Sequence, residues 1–266
     1  MKKKQEPFDK YWYYSASVQS PIDDVRFYDR VYHDARGKSP RVLREDFCGT
    51  FINCCEWVKL GPERRAIGVD LDPEPIGYGR EHYLPKLDAG QQSRVTIIQD
   101  NVLSPGLPKA DLICAMNFSF FIFKQRKELV SYFKNCLEAL EPGGVLSIDC
   151  FGGSECTEPN EEETEYEDEG YSYFWDQDGF DPLTHHAVFH IHFKRKGEKK
   201  RLNVFTYDWR MWTVPELKDA LLDAGFSEVK TYWEGTTDDG EGDGNFHLAE
   251  KGEVCESWVA YLAALK

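Results

Sequence analysis

No C-x-x-C pair occurs among the eight cysteines of this 266-residue chain. Cys54 and Cys55 are neighbours, while Cys114, Cys136 and Cys150 sit within apolar segments. That pattern argues against a paired-thiolate zinc site or a disulfide framework and for reduced core cysteines. Basic residues are scarce: 32 Lys and Arg face 47 acids, for a net charge of −15. Such an excess repels a phosphate backbone, so no nucleic-acid partner is expected. It tolerates cationic substrates, although a solvated acidic surface accounts for the same charge. The basic start Met1-Lys2-Lys3-Lys4 leads into Gln5-Glu6-Pro7 and not into an apolar stretch. Neither a signal peptide nor a transmembrane segment is expected, and the expected setting is cytoplasmic. No internal repeat is visible.

Apolar residues make up 41% of the chain and aromatics 14%, enough for a real core in one domain with an elaboration. From residue 41 onwards, short apolar runs alternate with helical patterns. Strands are expected over Arg41–Glu45, Arg65–Leu71, Val95–Val102, Asp111–Asn117 and Val145–Phe151. Helices are expected from about Thr50 to Leu60, from Pro73 towards Tyr83, and over Lys127–Glu141, where Val130, Phe133, Leu137 and Leu140 recur at helical spacing. Alternating strands and helices imply an α/β fold, a doubly wound, Rossmann-like and mostly parallel sheet of about seven strands. Ligands bind such sheets beyond the carboxyl ends of the strands. Glu45, Asp70, Asp100 and Asn117 close four consecutive strands there.

The alternation breaks after Gly153. Residues 155–169 hold nine acids and no base, which reads as a solvated loop. Tyr171–Trp175, His185–Arg195 and Arg201–Met211 then read as strands, the last two joined by a hairpin turn at Lys196-Gly197-Glu198-Lys199. This is an antiparallel block inserted into the α/β unit. A helix over Val214–Ala224 follows, stopped by Gly225, and Glu228–Trp233 and Ser257–Leu265 complete the sheet around a loop at 234–253. The expected organisation is an N-terminal lid at 1–40, a core at 41–152 and 213–266, and a cap at 153–212.

V-L-R-E-D-F-C-G-T-F, G-V-D-L-D-P-E-P, I-I-Q-D-N-V, A-D-L-I-C-A-M-N, L-E-P-G-G-V-L and L-L-D-A-G-F-S-E-V follow one another along the chain. In that order they resemble the motifs of class I S-adenosylmethionine-dependent methyltransferases over roughly residues 40–152 and 213–265. The resemblance implies S-adenosylmethionine as cofactor, with S-adenosylhomocysteine as product. It implies that Asp70, with Leu71 beside it, takes the ribose hydroxyls, a diol that a carboxylate holds well by accepting two hydrogen bonds. It puts Asp100 near the adenine amine, the Asn101 backbone amide near a ring nitrogen, and Val102 beside them. Cys48, Gly49 and Thr50 would form the turn against the methionine part, with Met116 and Asn117 at the end of the fourth strand. Glu45 would orient the turn or accept from the cofactor amine. Arg44 would meet the cofactor carboxylate or pair within the fold.

The family's first turn has glycine where this chain has Phe47 and Phe51. Only Gly49 remains in that turn, which disfavours a nicotinamide cofactor, whose pyrophosphate needs G-x-G-x-x-G. A variant adenosyl pocket is the expectation, with Phe47 projecting near the cofactor or packed beneath it and Phe51 beginning the next helix against the sheet; whether the two wall the pocket or fill it stays open.

The inserted block resembles the cap of small-molecule methyltransferases of the glycine and amino-sugar N-methyltransferase kind. The implied reaction is methyl transfer to a small molecule, an amine or amino-acid-like compound. A protein or RNA acceptor is one alternative, and a non-catalytic scaffold prompted by Phe47 and Phe51 is another. On the acceptor side the candidates are Tyr14, Tyr207 and Arg210, the last as a bidentate partner for a substrate carboxylate. Strand alternation puts Tyr207, Trp209 and Met211 on one face, and Asp208, Arg210 and Trp212 on the other. His186, His190 and His192 share a face, but no carboxylate or cysteine completes a recognisable set, so no metal is expected. Oligomeric state is not legible.

Overall fold

The structure is a computed structural model that describes residues 7–237 and 242–266. The basic start at residues 1–4 and part of the 234–253 loop therefore lie outside the described residues. In chain order the elements are α1 (Lys10–Val18), α2 (Pro21–Arg36), β1 (Val42–Asp46), α3 (Ile52–Trp57), β2 (Arg65–Asp70) and α4 (Pro73–His82). Then come α5 (Ala89–Gln92), β3 (Val95–Gln99), β4 (Ala110–Ala115), α6 (Arg126–Ala139) and β5 (Leu140–Gly152). The inserted block holds β6 (Asn160–Tyr166), β7 (Tyr171–Phe180), β8 (His186–Arg195) and β9 (Arg201–Arg210). The chain closes with α7 (Val214–Ala224), β10 (Glu228–Thr236), β11 (Gly242–Leu248) and β12 (Trp258–Leu265).

Local chemistry sets the helix ends. Asp9 caps α1 by accepting from the N–H groups of Tyr11 and Trp12, at 3.1 and 3.0 Å. Pro21 opens α2 and Gly37, at φ 67°, closes it in the left-handed conformation. Thr213 and Glu216 form a reciprocal capping box at α7, which Gly225 ends.

The main sheet runs β11-β10-β12-β5-β4-β1-β2-β3. Strands β1 to β5 pair in parallel, whereas β12 lies antiparallel between β5 and β10. Because helices cover both faces, its central strands β4 and β5 bury most of their residues, largely apolar ones. Successive residues go to opposite layers: Leu112 and Cys114 join Tyr28, Tyr32 and Trp57, while Ile113 and Ala115 join Phe133, Leu217 and Leu221. All eight cysteines are unpaired and seven are buried. Among the described residues no helix is long and apolar enough to cross a membrane.

The expected mostly parallel, doubly wound sheet with an inserted antiparallel cap is the architecture observed, with three differences. The main sheet has eight strands where about seven were expected, because β11 forms within the expected 234–253 loop. The acidic 155–169 stretch is not all loop: β6 pairs with β7 along its length and forms the outer edge of the β6-β7-β8-β9 sheet. Its glutamates stand exposed at that edge, where water screens their repulsion and their charge opposes further strand pairing. The first forty residues contain two helices. Of these, α2 is part of the core, burying Val25, Tyr28, Val31 and Tyr32.

Strand β1 carries three consecutive charged residues, all buried. Arg44 and Asp46 turn to the α6 side and form a two-pronged ion pair at 2.8 and 3.0 Å, joined by the Tyr132 hydroxyl at 3.0 Å from Asp46. Removing one member strands the other's charge in the core, whereas replacing both by apolar groups does not. Arg44→Met should therefore cost about 3–5 kcal/mol in equilibrium urea unfolding. The double variant Arg44→Met with Asp46→Leu should recover most of that loss, and equal losses in the two would refute the pairing argument.

Candidate active site

The turn after β1 has an unusual backbone. Phe47, Gly49 and Phe51 all adopt positive φ, at 59°, 51° and 49°. For a residue with a Cβ, the left-handed region costs roughly 1–2 kcal/mol, so Phe47 and Phe51 hold a glycine's conformation without being glycine. Packing offsets the strain. Phe51 is fully buried beneath α4, where a Cβ on Gly79 would stand 2.2 Å from the Thr50 carbonyl oxygen and 2.5 Å from the Phe51 ring. The Phe47 ring sits near Phe123 and Tyr132, at 6.1 and 5.8 Å between centroids. Asp70, at the end of β2, ties the turn down: its Oδ2 accepts from the Gly49 N–H at 2.7 Å and its Oδ1 from the Asp72 N–H at 2.9 Å.

The turn borders a cavity of about 250 Å³ at the carboxyl ends of the strands. Glu45, Cys48, Gly49, Thr50, Asp70, Met116 and Asn117, all expected there, line it, and Tyr14 and Tyr207 cover it. Phe47 is part of its wall; Phe51 is not. A Cβ added at Gly49 would meet nothing within 4 Å, so that position leaves open room beside the backbone. Glu45 accepts from the Asn53 amide at 3.0 Å and the Cys54 thiol at 3.2 Å. Burial pushes its carboxyl up to about 7, against those two hydrogen bonds, which lower it.

A second cavity, of about 300 Å³, adjoins the first and has aromatic walls that include Phe118, Phe151, Trp175 and Trp209. Tyr14, Asn117 and Tyr207 line both cavities and so form the partition between them. The two tyrosine hydroxyls lie close enough for each to shift the other's titration. Burial lifts Tyr14 to about 12 and Tyr207 well above its ordinary value, so both stay neutral at physiological pH. Asn117 and Phe118 have positive φ, 55° and 56°, and donate their N–H groups to the two carboxylate oxygens of Asp149 at 2.7 and 2.9 Å. Burial raises Asp149 to about 7, against the same two N–H groups, which lower it. An acid inside the apolar run L-S-I-D-C-F was the available signal for Asp149, and the sequence reading missed it.

Other expected residues are placed elsewhere. Arg44 took the second of its two expected placements, in the core with Asp46, and does not line the cavity. Asp100, Asn101 and Val102 lie one strand beyond Asp70, whose carbonyl accepts from the Asp100 N–H at 3.0 Å; they do not line the cavity. Leu71 is 65% exposed and does not line it either. Arg210 is not at the acceptor side: it pairs with Glu216 at 3.0 Å, donates to the Lys124 carbonyl at 3.2 Å and stacks 3.7 Å over Trp212. Alternation along β9 turns it from the face that carries Tyr207 and Trp209, and Glu216 neutralises it. No histidine lines either cavity. His192 lies within reach of Asp176 and Glu161, at 3.0 and 3.8 Å. Its Nδ1 accepts from the Asn203 N–H at 2.9 Å, which places the ring proton on Nε2, facing Asp176. Neither nitrogen offers a free lone pair to a metal.

No protein-family model matches the chain, and no curated protein matches its sequence. Solved structures do match in three dimensions. The CcbJ methyltransferase from Streptomyces caelestis superposes with a TM-score of 0.69 at 17% identity, over 98% of this chain and 100% of its own. CalS10 from Micromonospora echinaspora, an amino pentose methyltransferase of calicheamicin biosynthesis solved with S-adenosylmethionine bound, gives 0.68 at 16%, over 99% of each chain. The sugar N-methyltransferase KedS8 from a Streptoalloteichus species gives 0.63 at 17%, over 100% of this chain and 96% of its own. At these identities the shared property is the fold, cap included.

The raised acids set a pH dependence. Folded Glu45 and Asp149 keep protons that the unfolded chain releases, so their contribution to stability is full below the ordinary carboxylate range and falls as pH rises to about 7. Glu45→Gln removes one of these acids. In thermal melts, the variant's Tm should rise relative to the parent's between about pH 4.5 and 7. Parallel curves would show that Glu45 is not a buried, raised acid.

Proposed function

We propose that the protein is a methyltransferase that uses S-adenosylmethionine to methylate a small molecule. The observation that carries this reading is the pair of adjoining cavities at the strand ends, one polar and one aromatic, divided only by Tyr14, Asn117 and Tyr207. The residues of the first cavity fit the donor. Gly49 leaves room where a side chain would intrude, and the Asp70 carboxylate, which already accepts two N–H groups, has further lone pairs for a ribose diol. Glu45 offers a carboxylate to an ammonium group, while Asp100 and Asn101 lie one strand on, where an adenine would extend. The S-adenosylmethionine bound to CalS10, which shares the fold, supports the same assignment.

When bound, the donor supplies an electrophilic sulfonium methyl group. The chain's own contribution is positional. Asn117, fixed by Asp149 beneath it, and the hydroxyls of Tyr14 and Tyr207 stand where an acceptor lone pair must be aimed. Holding two reactants in near-attack geometry accounts for much of the acceleration such a site can give. Phe47 and Phe51, which prompted the scaffold alternative, leave the cavity open: one is wall and the other packs below it.

Isothermal titration with S-adenosylhomocysteine tests the donor site. The parent protein should bind it, and Asp70→Ala should weaken binding by about ten- to a hundred-fold, the loss expected for hydrogen bonds to a charged group. Unchanged affinity in the variant, or binding of a nicotinamide dinucleotide in place of the adenosyl ligand, would overturn the assignment.

A further inference from the structure

We infer that the acceptor is an amine, cationic in water, that bears no carboxylate, phosphate or other anionic group and gives its ammonium proton to water before its lone pair attacks. The inference rests on the methyltransferase reading and narrows it to a substrate class. It follows from which charges and hydrogen-bonding groups the aromatic cavity presents. Among the described residues that line this cavity there is no lysine, arginine or histidine. Arg210, the one cation expected to meet a substrate carboxylate, is held outside by Glu216. An anion entering here would lose its hydration and find no compensating charge.

What the cavity offers is acceptors and ring faces. Gln177 is buried, at 4% exposure, and its amide nitrogen donates to the carbonyls of Cys156 and Glu158, both at 2.8 Å. Those bonds fix the orientation of the amide: its Oε1 is the remaining group, it can only accept, and no described residue donates to it. A carbonyl oxygen that accepts from no described residue and is reachable from the cavity is a ready acceptor for an N–H or O–H of a ligand. Glu155 and Glu162 line the same cavity from its exposed side and add two carboxylates. Trp175, stacked on Phe189 at 5.1 Å, and Trp209, stacked on Tyr207 at 4.5 Å, supply the electron-rich faces that attract ammonium groups. An α-amino acid satisfies the acceptors with its ammonium but leaves its carboxylate among rings and acids. The decarboxylated amine has no such conflict.

Matched pairs test this directly. Protein saturated with S-adenosylhomocysteine is titrated at pH 7.5 with tryptamine against tryptophan, tyramine against tyrosine, and 1,5-diaminopentane against lysine. In at least one pair the amine should bind tenfold or more tighter than its amino acid, and in no pair should the order reverse. Glu162→Lys places a cation at the exposed side of the cavity without disturbing the core. It should cut the amine preference at least fivefold. Equal or tighter binding of the amino acids, binding of none of the three amines, or an unchanged preference in Glu162→Lys would each overturn the inference. The melting shift with S-adenosylhomocysteine alone separates the two levels. If the shift is present, such a result sinks only the acceptor class; if it is absent, the donor site itself is refuted.

Discussion

Burying three charged residues in succession at the centre of a sheet is the constraint around which this molecule is arranged. Arg44, Glu45 and Asp46 occupy the central strand β1, between β2 and β4, with no water to share their charge. Strand alternation divides the problem between the two faces. On one, Arg44 and Asp46 neutralise each other, and Tyr132 and Cys136 of α6 reach Asp46. Burial alone would lower the Arg44 guanidinium, but Asp46 beside it holds it above its ordinary range. On the other face Glu45 has no cation, only the Asn53 amide and the Cys54 thiol of α3. It therefore meets the cost of burial by retaining its proton to about 7. Both helices are thus keyed to β1 by polar contacts as well as by packing, and the strand delivers its last residues to the cavity in a fixed register.

The turn that follows inherits that rigidity. A chain leaving β1 must bend sharply into α3, and left-handed residues at 47, 49 and 51 make the bend. Glycine is the residue that adopts this conformation without penalty. Two phenylalanines adopt it here because each ring has somewhere to go: one against Phe123 and Tyr132, the other under α4, where Gly79 makes way for it. The Asp70 carboxylate then clamps the turn to β2 through the Gly49 N–H. Backbone strain at a ligand site persists only where its surroundings over-determine it, and here they do so from three sides.

How much of this could be read from the chain depends on how local the cause is. The parallel strands, their terminal acids and the turn at Gly49 have short-range signatures, and Glu45, Asp70, Met116 and Asn117 do meet at one cavity. Strand β6 was hidden because its acids resemble a loop; only pairing with β7 makes it a strand. Alternation correctly set Arg210 opposite Tyr207 and Trp209. Which of those faces meets the cavity is decided by how the cap packs on the main sheet, a long-range fact with no local mark. Helix α1 supplies Tyr14 to the partition by the same kind of long-range docking.

On the proposed methyltransferase reading, the partition also bears on which element suits the site as acceptor. An oxygen acceptor must lose its proton as it attacks and needs a base within hydrogen-bond reach. The hydroxyls of Tyr14 and Tyr207 are neutral, and Asn117 is an amide, so the groups shared by both cavities include no base. Glu45, which lines the first cavity, and Asp149, which holds Asn117, are both committed to structure: one to Asn53 and Cys54, the other to two backbone N–H groups. An amine that has released its ammonium proton to water carries a free lone pair and needs no base in the partition to react. It needs to be held, and neutral donors and acceptors at fixed positions do that without competing for the proton. A rigid, uncharged partition between a polar cavity and an aromatic one is therefore matched to nitrogen and poorly matched to oxygen.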